Sequence, residues 1–407
     1  MHFFKNIFIT LLLICLVQQT FGNDDNKPKK NKKAYKINIP KLLNSKDFLD
    51  FLMKEDTSQS IYKVLYNPRK YRLQIIYTQI NRDKQNKPKL KTFTYRANNQ
   101  EYFYPASLVK LPIIALALEK LHRLNIKGLG KNSSLFCQRS SGAGIYQTTV
   151  AESIKKMLIA SDNFSYTILY EFVGQRYLHQ RLREMGFPET SITQNFSYSG
   201  KPFNSFQFLN SDGTILYDEK PEGRIPQAEI NVKKTVVAGM NFKYANHFPL
   251  EDAHKILTTL LFHESFPPSQ QFHLTYDDYE FLHRYMSIFP RECKDPAYDE
   301  NNFFDSSYKY FLNAKNRSRR NSTIRCFNKV GIAIGFISDC SYFVDYENKT
   351  EFFLSAVIYV NENEKNAGYE YYSVGFPFFT NLSRVINEYE KTRKRKYTPV
   401  LEQIDYY

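Results

Sequence analysis

Tryptophan is missing from the 407 residues, and no apolar run beyond the N-terminal segment approaches the roughly 18 residues that a membrane helix needs. The five cysteines contain no Cys-x-x-Cys, and no His-Glu-x-x-His occurs, so neither a zinc ribbon nor a zincin-type centre is expected. No Gly-x-Ser-x-Gly is present, which removes the nucleophile elbow of the α/β-hydrolases. There is no internal repeat and no nucleic-acid motif. What the chain does have is 42% hydrophobic residues, with 34 Phe and 31 Tyr, the composition of a globular protein with a sizeable core.

The N-terminus reads as an address. Lys5 supplies a positive start, Ile7 to Val17 an apolar core, and Thr20-Phe21-Gly22 a small-residue cleavage site, so residues 1–22 are expected to be a signal peptide. Export to the periplasm or outside the cell follows, and the mature chain is expected to carry no transmembrane segment. Residues 23–44 read as a basic linker, 45–395 as one domain and 396–407 as a tail. Of the net charge of +15, much sits in Lys27 to Lys36 and Lys391 to Lys396; such runs are usually solvated, and no nucleic-acid partner is expected. Cleavage leaves Cys137, Cys293, Cys326 and Cys340, which an exported protein can pair in three ways.

Ser45-Lys46-Asp47 opens an amphipathic helix running to about Tyr66. Arg72 to Asn81 and Lys89 to Tyr95 read as two strands around an Asn86-Lys87-Pro88 turn. Gly128 to Gly144 reads as a Gly/Ser-rich loop, followed by helices over Thr149 to Ile159, through Val173 and through Gly186. Thr190 to Gln227 reads as irregular, and Asn231 to Gly239, Leu250 to His263 and Tyr276 to Ile288 as helical. Ile324 to Ile334, Ser341 to Tyr346 and Phe352 to Asn361 are β-rich runs at meander spacing, and a helix over Thr380 to Arg395 ends the order. Two early and three late strands around a helical middle predict one interwoven α/β unit with a five-stranded antiparallel sheet flanked by terminal helices.

The chemistry gathers on Tyr104-Pro105-Ala106-Ser107-Leu108-Val109-Lys110. Prolines are tolerated at a helix start, and Ser107 and Lys110 fall on one helical face. A serine hydroxyl needs a base, and a lysine becomes one when burial and nearby cations lower its pKa. Ser-x-x-Lys recurs at Ser60/Lys63, Ser153/Lys156 and Ser306/Lys309, so the spacing alone says little. Downstream of the Ser107 copy, in order and at the spacing the chemistry needs, lie Ser161-Asp162-Asn163 and Lys329-Val330-Gly331, each the only one of its kind. Ser161 would relay a proton to the leaving nitrogen, and Asn163 would hold Lys110 and a substrate amide. Lys329 would bind a substrate carboxylate, while the strand through Gly331 and Ile332 would pair with an extended substrate. The N–H groups of Ser107 and Ile332 would form an oxyanion hole. Asp162 reads as a turn cap.

These motifs, in this order, resemble those of the class A β-lactamases and penicillin-binding proteins. Leu182-Arg183-Glu184-Met185-Gly186 is similar to the helix end before that family's Ω-loop, and Lys329 to Gly335 with Asp339 to its sheet meander. The resemblance implies the β-lactamase/transpeptidase fold and a cofactor-free serine hydrolase with catalytic Ser107, Lys110 and Ser161. Substrate binding would fall to Asn163, Lys329, Gly331 and Ile332, and a monomer acting on a β-lactam or a peptidoglycan-type peptide is expected. A catalytically weak binding protein on the same scaffold is the alternative. Two departures stand out. Val330 replaces a hydroxyl residue, and Thr190 to Ser211 contains no acidic residue to match the Ω-loop glutamate that drives deacylation. Phe206-Gln207-Phe208-Leu209-Asn210 is the nearest piece that aligns, and Asp212 and Glu219 are the nearest downstream carboxylates.

Overall fold

A computed structural model describes residues 45–401, except 55, 57, 140–143, 197–201, 224, 226–234, 314–315, 321–322 and 363–367. The expected signal peptide and linker, and the last residues of the tail, lie outside the described residues. In chain order the elements begin with helices α1 (Ser45–Lys54) and α2 (Gln59–Leu65) and strands β1 (Gln74–Arg82) and β2 (Pro88–Tyr95). A 3-10 turn over Ala106–Val109 runs into α3 (Lys110–Leu124), then come β3 (Ser134–Arg139) and β4 (Ile145–Thr148). Helices α4 (Val150–Ile159), α5 (Asn163–Val173) and α6 (Gln175–Glu184) precede β5 (Phe203–Leu209) and β6 (Ile215–Glu219). A short ribbon, β7 (Val236–Val237) and β8 (Met240–Asn241), leads to α7 (Leu250–Leu261) and α8 (Tyr276–Ser287). The meander β9 (Ile324–Ala333), β10 (Phe336–Asp345) and β11 (Thr350–Tyr359) ends in α9 (Phe376–Thr392).

The main sheet has the order β2-β1-β11-β10-β9, with every pairing antiparallel. Its alternation explains why β10 and β11 are apolar along much of their length: both faces are covered. Thr78 and Ser355 face α7, where the buried His254 hydrogen-bonds both hydroxyls at 2.9 and 2.8 Å. Tyr77 and Phe352 face the other way, their rings edge-on to each other at 6.1 Å, and Tyr77 reaches Tyr389 of α9 at 6.5 Å. Lysines at 89 and 91 mark the β2 edge as solvent-facing. At the opposite edge, β9 meets the Ala106–Val109 turn. Helix α3 is buried from Lys110 to Leu121, so its hydrophobicity runs all round rather than along one stripe.

The fold class is as expected, and three local readings are corrected. The single N-terminal helix is two, separated where Asp56 Oδ1 accepts the Ser58 N–H at 2.8 Å. Gly128 to Gly144 and Thr190 to Gln227 are not merely loop: they contribute β3, and β5 and β6, to a second, four-stranded sheet of order β4-β3-β5-β6. Leu135, Cys137, Phe206 and Phe208 form its buried face, with Phe206 and Phe208 packed on Phe172 of α5. Val236 to Gly239 is a tight β-ribbon instead of a helix end. Thr235, Val236 and Val237 are poor helix formers, and Ala238 and Gly239 take the left-handed conformation of a two-residue hairpin turn, φ 46° and 76°.

The four cysteines are buried and free, on β3, β9, β10 and the segment after α8. No helix among the described residues is long and apolar enough to cross a membrane.

Candidate active site

Ser107 lies in the 3-10 turn before α3, half-buried, and the turn is held by a left-handed residue, Ala106 at φ 46°. A non-glycine residue in that conformation costs about 1–3 kcal/mol and is kept only where its surroundings demand it. Here the demand comes from β9. A Cβ on Gly331 would lie 2.4 Å from the Pro105 carbonyl oxygen and 2.8 Å from Ser338 Oγ, so bare backbone is needed for β9 to approach the turn. Gly331→Ala should therefore push the Ser107 turn off the strand. Overpacking of this kind costs about 1–3 kcal/mol, and thermal melts should show that loss together with a fall in β-lactam labelling. An unshifted melting temperature would remove the close-packing argument.

One turn on, the fully buried Lys110 directs its ammonium group back at the serine. Nζ lies 2.9 Å from Ser107 Oγ, 2.7 Å from Asn163 Oδ1, 2.5 Å from the Ser161 carbonyl oxygen and 3.2 Å from Ser161 Oγ. The Ser161 carbonyl reaches Lys110 because Ser161 is itself left-handed, φ 54°, while Asp162 caps α5 by accepting the Ser165 N–H at 2.6 Å. The capping role expected of Asp162 is thus visible in the geometry. Lys329, on β9 and buried, completes the ring: its Nζ donates to Ser161 Oγ at 2.9 Å and to the Val330 carbonyl at 3.2 Å.

Electrostatics follow from this burial. Loss of water, with Lys329 nearby, drives the Lys110 pKa well below that of a free lysine, and Asp162 opposes the shift. Burial likewise lowers Lys329 to about 7, against the pull of Asp339. A neutral Lys110 has two N–H donors for the Ser161 carbonyl and Asn163 Oδ1, leaving its lone pair for the Ser107 hydroxyl proton.

The structure thus brings Ser107, Lys110, Ser161, Asn163 and Lys329 into one hydrogen-bonded group. Gly331 lies against the Ser107 turn, and Ile332 is half-buried on the same edge strand, paired with Ile337. Val330 is buried and paired with Asp339. Neither downstream carboxylate joins them: Asp212 caps an exposed turn through the Thr214 N–H, and Glu219 pairs with Lys120 at 2.7 Å. Phe206 to Asn210 lies in and just after β5, in the second sheet.

Sequence reasoning missed how the segment after α6 comes to lie beside Lys110. The segment from Ile192 to Phe196 is tied to α5 and α6: Tyr166 and Tyr170 donate to the Gln194 and Ile192 carbonyls at 2.9 and 3.0 Å, and His179 accepts the Ile192 N–H. Phe196 packs on Tyr166 at 4.5 Å, and the two rings stand 5.5 and 5.8 Å from Lys110 Nζ. Two aromatic rings therefore flank the lysine.

Residues 58–238 match the model of the β-lactamase enzyme family. Among solved structures, a class A β-lactamase from Bacteroides cellulosilyticus is 12% identical, with a TM-score of 0.50, over 86% of this chain and all of the other. The TLA-3 extended-spectrum β-lactamase (13% identical, TM-score 0.47, 84% of this chain and 98% of that one) is also similar. So is PBP-A, 12% identical with a TM-score of 0.46 over 86% of this chain and 97% of that one. A search of the curated proteins found no match. The class is an α/β fold of the β-lactamase/transpeptidase type. Residues 58–238 are similar to the β-lactamase enzyme family, and the fold is the one its solved members share.

Proposed function

We propose that the protein is an exported serine hydrolase that opens a β-lactam or an acyl-D-Ala-type amide through an acyl-enzyme on Ser107 and releases the acyl group slowly. The observation carrying this reading is the Lys110 Nζ to Ser107 Oγ contact of 2.9 Å, made by a buried lysine whose remaining partners are all acceptors. Lys110 takes the Ser107 proton as the hydroxyl attacks the carbonyl. Ser161, between the two lysines, passes a proton to the leaving nitrogen, and Lys329 holds the substrate carboxylate. The tetrahedral oxyanion forms at the start of α3, where the helix dipole favours negative charge. Export rests on residues 1–22, whose pattern is that of a secretory signal.

Intact mass after incubation with penicillin G tests the reading. One adduct with the mass of the whole antibiotic is expected, mapped by peptide digestion to Ser107. A folded protein that takes up no adduct, or takes it elsewhere, would favour the binding-protein alternative.

A further inference from the structure

One of the chance Ser-x-x-Lys pairs, Ser306/Lys309, proves to lie behind the site. Ser306 closes a loop through the Asn313 and Asn316 carbonyls, both at 3.0 Å. Lys309 is buried, and its ammonium group is fully used: it donates to the Met286 carbonyl at 2.8 Å, the Cys326 carbonyl at 2.6 Å and Asn328 Oδ1 at 3.0 Å. Asn328 in turn donates to the Tyr308 carbonyl at 2.9 Å and to Asp339 Oδ1 at 3.0 Å. Asp339, fully buried on β10, also accepts Ser341 Oγ at 2.7 Å and the Tyr310 and Phe311 N–H groups at 2.9 and 3.4 Å.

This network brackets Lys329. In the ladder Asn328 pairs with Ser341, Lys329 with Cys340 and Val330 with Asp339, so the polar groups occupy the positions on either side of Lys329. A buried ammonium and a buried carboxylate are expensive where apolar residues would fill the same space. Neither group contacts Ser107, Lys110 or Ser161, so the acylation chemistry makes no direct use of them. What they do is pin β9 to α8 and to the Tyr310–Leu312 turn, and place one charge of each sign near Lys329.

We propose that Lys309 and Asp339 are positioning residues for Lys329, fixing its strand and balancing its charge from either side of the Asn328 amide. The functional meaning rests on the acyl-enzyme reading above; the titration that tests it does not. Around Lys329 the charged and titratable groups are Lys110 from α3, Asp162 at the start of α5, Asp339 and Cys340 from β10, and Lys309. Behind Lys309 stands the Arg325–Glu292 pair at 2.7 Å. After burial, Asp339 and Lys309 act on Lys329 in opposite senses, the carboxylate raising and the ammonium lowering its proton affinity. Burial lifts Asp339 itself to about 6, so it is ionised at neutral pH.

The opposite signs give the test. In the full-length protein carrying lysine labelled with ¹³C and ¹⁵N, the Lys329 side-chain resonance, assigned with Lys329→Arg, is titrated directly. Lys309→Met should move its midpoint up and Asp339→Asn should move it down. A charged Lys329 is lost as pH rises through about 7, so the alkaline fall in penicillin acylation should move with it. A displacement of one pH unit changes the rate at fixed pH by about tenfold. Two midpoints that stay put, or move together, would reduce the network to packing and overturn the proposal. If Lys309→Met does not fold, Asp339→Asn decides alone: a downward shift supports the proposal and an unmoved midpoint overturns it. Opposed shifts in a protein that takes no penicillin adduct would support the positioning and sink the acyl-enzyme reading instead.

Discussion

Mixed with an excess of nitrocefin, the protein should release about one equivalent of product in a burst and then fall nearly silent, the pattern of an accumulating acyl-enzyme. Acylation and deacylation draw on different groups here. The first needs Ser107, Lys110, Ser161 and Lys329, which are already hydrogen-bonded to one another. The second needs a base to activate water against the ester. Lys110 is flanked by the rings of Phe196 and Tyr166, while Asp212 lies in an exposed turn and Glu219 is held by Lys120. Asp162, whose charge reaches Lys110, is occupied in capping α5. A missing general base typically costs about 10²–10⁴-fold in rate, so deacylation should limit turnover by that margin. Fast steady hydrolysis without a burst would mean that Lys110 serves both steps.

Ser107→Ala should abolish covalent labelling by a fluorescent penicillin, and Lys110→Met should slow it by about 10²–10⁴-fold, the contribution of a positioned base. Methionine suits the second test because it approximates the volume of the buried lysine stem while removing the amine. Ser161 and Asn163 then lose their shared donor, so some loss of stability is also expected, and the comparison belongs at a temperature where circular dichroism shows both proteins folded. Labelling at an unchanged rate in Lys110→Met would remove Lys110 as the base. Labelling that persists in Ser107→Ala would remove the nucleophile assignment.

Much of the site could be read from residue types in order. Order excluded only Ser306/Lys309, which follows the Ser-Asp-Asn; the spacing to the two downstream motifs set Ser107 apart from Ser60 and Ser153. The meander was visible because β9 to β11 are long, apolar and closely spaced. The second sheet was harder to see. In Phe203-Asn204-Ser205-Phe206-Gln207-Phe208 the alternation is short and set between turn-forming clusters, and its partner β3 lies some seventy residues earlier, a pairing no local pattern displays. The aromatic flank on Lys110 and the Lys309–Asn328–Asp339 network were hidden for the same reason. Phe196 looks like any loop phenylalanine until Tyr166 is beneath it, and Lys309 sat in a polar stretch that gave no hint of burial.

The pairing of β1 with β11 has a consequence for how the molecule is made. A ribosome that has reached residue 238 has synthesised Ser107, Lys110, Ser161 and Asn163, yet only β1 and β2 of the catalytic sheet exist, and the side of β1 that β11 will cover is bare. At roughly 5–20 residues per second, the strands that finish the sheet arrive on the order of 10 s later. Throughout that interval the nascent chain presents an open, apolar strand edge of the kind that invites aggregation, and a holding chaperone is the natural guard for it. Lys329 is delivered only with this last instalment, so the hydrogen-bonded group around Ser107 stays incomplete until the chain is almost finished. A stop codon anywhere before β11 would then yield no partly active fragment, only unfolded protein for proteases.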